Sequence, residues 1–245
     1  MHRSAVTAMQ AAYRTDKGKW RIKNEDSLFA DMENGVFLLA DGMGGHQAGE
    51  IASALAVKEA YAHIRARLQG DGGAAGAFPP EDIVKEAILS AHSAIYERSK
   101  TSPNLAGMGT TLDAVLIKDG EAYIGHVGDS RVYMLRDRIW QLTKDHTLER
   151  FLASRGQFRQ GKSHILVQAV GTSGGLVPEL HHLRLQPEDI LILCSDGLTD
   201  MLSDGEIEEK IRTHAGELDD AANDLVDEAN RKGGFDNISV MLIKV

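Results

Sequence analysis

The middle of the chain carries the pattern that most restricts the fold. Two strand-like runs, residues 111–118 and 121–127, are separated only by Asp119-Gly120, a residue pair typical of a two-residue hairpin. A second hairpin is predicted for residues 131–135 and 139–142, around Asp137-Arg138. Successive hairpins form an antiparallel meander, which excludes a doubly wound parallel sheet.

Helices are predicted on both sides of this meander. Residues 51–68 repeat apolar side chains at helical spacing, and residues 81–100 do the same after Pro80, which suits a first helical turn. A short helical piece beginning at Thr143 and including residues 147–152 follows the meander, and two more helices are predicted for 206–214 and 218–231. The other predicted strands are residues 9–15, 26–30, 36–40, 190–194 and 238–245. Strands and helices are segregated, which favours an α+β fold.

Composition limits the class of protein. The chain has 245 residues, of which 42% are hydrophobic, and this is enough for one large domain or two small ones. It has no run of 18 apolar residues and no secretory signal, and its single cysteine, Cys194, cannot form an internal disulfide; we therefore expect a cytoplasmic protein that does not bind membranes. The net charge of -9 makes nucleic-acid binding a poor hypothesis.

Three aspartates lie at the ends of apolar strands. Asp41-Gly42 follow residues 36–40, Asp196-Gly197 follow residues 190–194, and Asp236-Asn237 precede residues 238–245. If these strands are neighbours in one sheet, the three carboxylates converge at one end of it. Buried carboxylates repel each other and lose their hydration, so a cation must balance them.

The ligand type indicates which cation. Carboxylate oxygens without cysteines or a close histidine pair favour Mg²⁺ or Mn²⁺ over zinc. Two such ions would outweigh the three carboxylates, so the site would attract a phosphate and activate a water molecule for attack.

Six short blocks together resemble one known family. The blocks are Arg21-x-x-Asn24-Glu25-Asp26, Asp41-Gly42-Met43-Gly44-Gly45-His46, Gly109-Thr110-Thr111, Gly128-Asp129-Ser130-Arg131, Ser195-Asp196-Gly197-Leu198 and Asp236-Asn237. In this order they resemble the bacterial branch of the metal-dependent Ser/Thr protein phosphatases, the PPM family or type 2C phosphatases. The resemblance covers nearly the whole chain.

The resemblance implies a four-layer αββα sandwich, in which two packed antiparallel sheets are flanked by helix pairs. It implies a single catalytic domain over residues 1–245, with a variable flap at about residues 150–175. Basic residues of the flap, Arg155, Arg159 and Lys162, are either contacts for an acidic phosphopeptide or ordinary surface charge.

The resemblance also implies a metal shell of two ions with a possible third. The implied ligands are Asp41, the Gly42 carbonyl, Asp196, Asp236, Glu25, Asp26 and Asp129. Asp41 would bridge the two ions, and Asp129 with Asp196 would hold the third. Arg21 would contact the substrate phosphate, since its planar guanidinium suits two phosphate oxygens.

The implied reaction is direct hydrolysis of phosphoserine or phosphothreonine by a metal-bound hydroxide, without a phosphoenzyme. Cys194 agrees with this, because it lies in an apolar strand and lacks the loop and arginine of a cysteine phosphatase. Eukaryotic relatives carry a histidine directly after the Asp-Gly pair, often assigned as the general acid; here Met43 occupies that position. His46 either caps or packs against the helix, which we prefer, or supplies the proton, and His126 and His146 are weaker candidates.

The expected partners are phosphorylated Ser/Thr proteins and the bacterial Ser/Thr kinase pathway whose action the protein would reverse, with the protein as a monomer. Two other functions stay open. One is a partner-switching phosphatase that acts on a phosphorylated anti-sigma antagonist. The other is a non-catalytic binding module with the PPM fold, which the retained Asp41, Asp196 and Asp236 make less favourable.

Overall fold

The computed structural model describes residues 9–44, 48–70, 78–157, 165–214 and 216–245. These residues form eleven strands and six α-helices. The strands are β1 Gln10–Asp16, β2 Asp26–Asp31, β3 Val36–Met43, β4 Gly109–Thr110, β5 Leu112–Lys118, β6 Glu121–Val127, β7 Arg131–Leu135, β8 Ile139–Gln141, β9 Glu179–Arg184, β10 Ile190–Cys194 and β11 Ile238–Lys244. The helices are α1 Ala48–Gln69, α2 Pro80–Ser99, α3 Leu148–Ala153, α4 Asp196–Thr199, α5 Asp204–Thr213 and α6 Leu218–Lys232, with a 3-10 turn at Pro103–Leu105.

The strands form two antiparallel sheets. Sheet I has the order β1-β11-β10-β7-β8, and sheet II has the order β2-β3-β5-β6-β9, with β4 paired to β3. The two hairpins predicted around Asp119-Gly120 and Asp137-Arg138 are confirmed as β5–β6 and β7–β8. They belong to different sheets, however, so the single meander predicted from the sequence is wrong. The chain crosses from sheet II to sheet I between β6 and β7.

The layers follow the predicted αββα order. Helices α1 and α2 pack on the outer face of sheet II, and α5 and α6 pack on the outer face of sheet I. A third apolar core fills the space between the sheets. Strand β3 shows why the chain folds this way: Val36, Leu38 and Ala40 face the α1–α2 layer, whereas Phe37 and Leu39 face sheet I. Period-two alternation places each set on one face of the strand.

One local prediction differs from the structure, and strand β9 and helix α4 were not predicted. The helix predicted from Thr143 begins only at Leu148, because Thr147 is extended and its side chain accepts a hydrogen bond from the Arg150 N–H. Strand β9 was not predicted, since it is a polar edge strand of sheet II whose exposure alternates along its length. The four-residue helix α4, directly after β10, was also not predicted.

Within the described residues, each helix is too short or too polar to cross a lipid bilayer.

Candidate metal centre

The three strand-end aspartates converge, but from two sheets rather than one. Asp41 lies near the end of β3 in sheet II. Asp196 follows β10 and Asp236 precedes β11, and these antiparallel neighbours in sheet I bring the end of one strand beside the start of the other. The expectation that all three strands share a sheet is therefore wrong. The carboxylates meet in a cleft of about 650 Å³ at the common end of the two sheets.

The backbone around Asp41 is held on both sides. Its N–H donates to Thr111 Oγ1 (2.9 Å), and its carbonyl accepts from Thr111 N (2.9 Å) and Thr110 Oγ1 (2.7 Å). Gly42 follows within β3, and a Cβ there would lie 2.2 Å from the carbonyl oxygen of Gly49 at the start of α1. Only glycine at position 42 allows the helix to approach the strand this closely.

Two further carboxylates stand beside Asp41. Asp26 opens β2 and pairs directly with Asp41 across the strands, so both side chains project from the same face. Ser195 Oγ donates to Asp26 Oδ2 (2.8 Å), whereas the buried Asp26 Oδ1 receives no hydrogen bond from any described residue. The Glu25 carboxylate packs against α1, where a Cβ on Gly49 would lie 2.4 Å from Glu25 Oε2.

Burial and mutual repulsion make the ionised form of these carboxylates unfavourable unless a cation is bound. Burial raises the pKa of Asp41 well above its usual value, and the charges of Asp26, Asp196, Asp236 and Asp129 raise it further. Burial likewise raises the pKa of Asp196 and raises that of Asp26 to about 6. Side chains in this state gain most from a bound cation that would restore the ionised form.

The donor set fits hard divalent ions. The cleft offers carboxylate and carbonyl oxygens, and its described lining residues include neither cysteine nor histidine. The unsatisfied Asp26 Oδ1 and the raised pKa values both fit Mg²⁺ or Mn²⁺. The structure thus brings together the side chains of Asp41, Asp196, Asp236, Glu25, Asp26, Asp129 and Arg21.

Asn237 organises one wall of the cleft and was not given a role from the sequence. Its Oδ1 accepts from Glu25 N (2.8 Å), and its Nδ2 donates to the carbonyls of Lys17 (2.9 Å) and Lys23 (2.8 Å). It thereby joins the segment that carries Arg21 to the start of β11. Its position directly after Asp236 was the only sequence signal. Ser195, which binds Asp26, was missed in the same way.

Arg21 lies at the mouth of the cleft. Its Nη2 donates to Asp236 Oδ2 at 2.5 Å, and its side chain is half exposed. An ion pair with this exposure contributes little to stability, so its guanidinium can exchange partners at small cost. The geometry is compatible with the phosphate contact expected for this residue.

Asp129 lies at the crossing between the sheets. Together with Asp196 it lines both the main cleft and a neighbouring cleft of about 590 Å³. The neighbouring cleft is also acidic, with Asp145, Asp200 and Asp204 on its walls. This position fits the expectation that Asp129 and Asp196 share a ligand site.

The histidines considered as acids are placed differently. His46 lies outside the described residues. His126 is fully buried, with Nδ1 2.6 Å from Asp113 Oδ1 and Nε2 3.2 Å from the Lys144 carbonyl oxygen. His146 Nδ1 accepts from Gly128 N (3.2 Å). Neither His126 nor His146 lines the cleft.

His126 and His146 form a second cluster with Glu179, whose potential ligand atoms lie within 4.8 Å of one another. Hydrogen bonds already involve these atoms, since Glu179 Oε2 accepts from Lys144 N (3.0 Å) and Glu179 Oε1 lies 2.9 Å from His181 Nε2. We interpret the cluster as a partly buried hydrogen-bond network next to the Gly128–Asp129 crossing.

Met43 and Cys194 behave as the sequence indicated. Met43 lines the cleft. Cys194 is fully buried in β10, and burial raises the pKa of its thiol, so it is not a nucleophile.

The segment that follows β8 contributes residues to the wall of the cleft. Leu148 N donates to the Ile165 carbonyl (2.8 Å) and Thr147 bridges to Leu166, which places Ile165 and Leu166 in the cleft wall. The Arg155 guanidinium stacks on the Phe151 ring at 4.3 Å. The other two basic residues of the expected flap, Arg159 and Lys162, lie outside the described residues.

Comparison with known proteins places the chain among phosphatases. The family described as Protein phosphatase 2C matches residues 19–230. The serine/threonine phosphatase stp of Listeria monocytogenes is 34% identical, with 96% of each chain covered. The crystal structure of the Mycobacterium tuberculosis serine/threonine phosphatase PstP/Ppp superposes with a TM-score of 0.85 at 35% identity, covering 97% of this chain and 98% of that one. The catalytic domain of PstP in complex with two manganese ions gives a TM-score of 0.83 at 36% identity, covering 96% and 97%.

Proposed function

The chain belongs to the protein phosphatase 2C family, and we propose that it hydrolyses phosphoserine and phosphothreonine in proteins at a metal centre held by Asp41, Asp196 and Asp236. The observation that carries this proposal is the convergence of carboxylates from both sheets in one cleft, where burial and mutual repulsion raise their pKa values. Such an arrangement is unfavourable without bound cations and favourable with them.

Each ligand has a place in the proposal. Asp41, near the end of β3 in sheet II, would bridge two ions, and the Gly42 carbonyl would help to hold one of them. Asp196 and Asp236, on the sheet I side, would complete the shell of the other. Two supporting contacts are already present: β2 pairs Asp26 with Asp41, and Ser195 orients the Asp26 carboxylate.

Glu25 and Asp129 extend this set. The carboxylate of Glu25 lies against the start of α1, close to Gly42. It would hold the same ion as the Gly42 carbonyl, directly or through water. Asp129 lines two adjoining clefts with Asp196 and would serve a third ion. We propose manganese as the first of these ions to test, because a PstP catalytic domain of the same fold binds two manganese ions.

Bound divalent ions would act as Lewis acids toward the phosphate and lower the pKa of a coordinated water molecule. The protein's own contribution is to orient the phosphate and to keep the ligands fixed. Arg21 would turn from Asp236 to the phosphate oxygens, since the Asp236 carboxylate is needed as a metal ligand. A planar guanidinium can donate two parallel hydrogen bonds to a phosphate, which a lysine cannot do.

The described part of the cleft provides no histidine to protonate the leaving alkoxide, and Met43 has no proton to give. The proposal therefore depends on charge stabilisation and positioning rather than on a histidine acid. We also infer that the enzyme is a cytoplasmic monomer that opposes a Ser/Thr kinase; the free, buried Cys194 thiol is compatible with a reducing compartment. Residues 1–245 would act as one catalytic domain, with the flap at about residues 150–175 beside the cleft.

The test is hydrolysis of p-nitrophenyl phosphate and of a phosphothreonine peptide, with and without Mn²⁺, by the wild type and Asp236→Asn. Removing even an outer-shell partner of a metal ligand lowers metal affinity or activity by about 10–100-fold. Asp236→Asn changes a proposed ligand itself, so it should lower activity by more than about 100-fold. Asp137→Asn, an exposed carboxylate in the β7–β8 turn, is the matched control and should stay active. Turnover that survives chelation, or a fully active Asp236→Asn, would contradict the assignment.

A further inference from the structure

Three large apolar side chains stand exposed at the edge of the metal cleft. Trp20 is 71% exposed, Ile22 is 93% exposed and Phe235 is 57% exposed. The rings of Trp20 and Phe235 lie 6.0 Å apart between centroids. We refer to Trp20, Ile22 and Phe235 as the apolar rim. None of them belongs to the three apolar cores.

The apolar rim is built on a fixed framework. Its two segments are joined by the Lys19 N–H, which donates to the Gly234 carbonyl at 2.8 Å, and by the Asn237 side chain described above. The Phe235 ring lies over Gly233, where a Cβ would be only 2.7 Å from the ring. Exposed aromatic side chains held in place on a surface are typical of binding sites.

The apolar rim lies next to the cleft because its residues adjoin cleft-lining residues in the sequence. Trp20 and Ile22 are the neighbours of Arg21, and Phe235 is the neighbour of Asp236. Arg21 and Asp236 both line the cleft. Consecutive Cα atoms are about 3.8 Å apart, and an extended peptide advances about 3.3 Å per residue. The rim therefore lies within reach of the residues that flank a phosphoserine or phosphothreonine bound in the cleft.

We propose that the apolar rim binds apolar side chains of the phosphoprotein substrate next to the phosphorylated residue, and so selects among substrates. This inference rests on the proposed phosphatase function. Arg21 and the metal ligands recognise the phosphate, which all substrates share, so discrimination has to come from surfaces outside the cleft. Trp20 and Phe235 can supply it by burying aromatic area against the peptide.

Two observations favour a substrate as the occupant. The rim is continuous with the cleft, so a permanent partner bound there would cover the mouth of the catalytic site, whereas a substrate occupies both surfaces in the same event. The net charge of -9 opposes approach to an anionic membrane surface.

The experiment compares two phosphothreonine peptides that differ only in their flanking residues, which are leucine and phenylalanine in one and alanine in the other. Rates are measured with Mn²⁺ for the wild type, Trp20→Ala and Phe235→Ala. Wild type should show a KM about tenfold lower for the apolar peptide, the size of effect that one good aromatic contact gives. Each variant should lose most of this preference through KM, with kcat nearly unchanged.

Tyr13→Ala is the matched control, because Tyr13 is a 58% exposed aromatic residue on β1 that does not line the cleft. It should leave the preference intact. Equal KM values of wild type for the two peptides would overturn the proposal, as would variants that lose activity equally on both peptides and on p-nitrophenyl phosphate. A dimer that dissociates in Trp20→Ala, with peptide preference unchanged, would also overturn it and reassign the rim to self-association. Wild type without metal-dependent hydrolysis of p-nitrophenyl phosphate would refute the phosphatase function itself.

Discussion

Replacing Asn237 with alanine tests how the cleft is held together. The Asn237 side chain is 4% exposed and makes three hydrogen bonds to backbone groups, one from Glu25 N and two to the carbonyls of Lys17 and Lys23. A typical hydrogen bond contributes a net 0.5–1.5 kcal/mol, so three give about 1.5–4.5 kcal/mol. Lys17 and Lys23 are exposed, and water can replace part of what their carbonyls lose. We therefore expect Asn237→Ala to lower the free energy of unfolding by about 2–3 kcal/mol.

Removing the Asn237 side chain should also weaken metal binding and substrate binding. Asn237 fixes the segment that carries Arg21 and Glu25, and both would become mobile when it is removed. The expected result is an apparent Mn²⁺ affinity weaker by about tenfold, comparable to removal of an outer-shell partner, and a raised KM for phosphopeptides.

The assay is urea unfolding followed by circular dichroism, with and without Mn²⁺, together with a Mn²⁺ titration of phosphatase activity. Asn223→Ala is the matched control, since Asn223 is exposed on α6 and should change stability by less than about 0.5 kcal/mol. A destabilisation of Asn237→Ala below about 1 kcal/mol, or an unchanged Mn²⁺ titration, would refute the reasoning that this side chain holds the cleft.

Three other predictions follow from the fold. Gly42→Ala should destabilise the protein by more than about 2 kcal/mol, because its Cβ would lie 2.2 Å from the Gly49 carbonyl oxygen. Gly205 lies in helix α5 with nothing within 4 Å of an added Cβ, so Gly205→Ala should stabilise the protein by about 0.5–1 kcal/mol. Thermal melts of both variants measure these changes, and equal melting temperatures for Gly42→Ala and Gly205→Ala would contradict the prediction. Burial opposes charge on His126, but the adjacent Asp113 outweighs it and raises the pKa of His126 above 6.5, while burial also raises the pKa of Asp113. The stability that the raised pKa of His126 contributes is fully present below pH 6.5 and is lost as pH rises through that raised pKa, so urea midpoints should fall with rising pH in wild type and less so in His126→Gln. Equal slopes would refute this explanation.

Local patterns predicted most elements with their type and approximate bounds. Helix α2 is an example: Pro80 suits its first turn, and Ile83, Ala87, Ala91 and Ile95 repeat at helical spacing and are all buried. The hairpins were equally readable, since Asp119 and Gly120 both adopt positive φ in the tight turn. Strand β9 was not predicted, because an edge strand buries little apolar surface and its sequence therefore shows only a weak hydrophobic pattern.

The candidate site could be predicted only in part. Asp41, Asp196 and Asp236 were found because each stands where an apolar strand meets a glycine or asparagine. The supporting side chains of Thr111, Ser195 and Asn237 could not be found this way, because their hydrogen bonds join positions far apart in the chain. Ser195 and Asp26, for instance, are separated by 169 residues.

The sequence alone therefore determined most of the strands and helices, the two hairpins and the three aspartate junctions, all of which depend on periodicity and turn chemistry over a few residues. Tertiary structure decided how the strands divide between two sheets, and hence that Asp41 faces Asp196 and Asp236 across the sandwich instead of beside them in one sheet. The physical reason is that sheet membership depends on long-range pairing, such as that of β1 with β11, and on burial of both faces of strands such as β3. No local pattern contains that information.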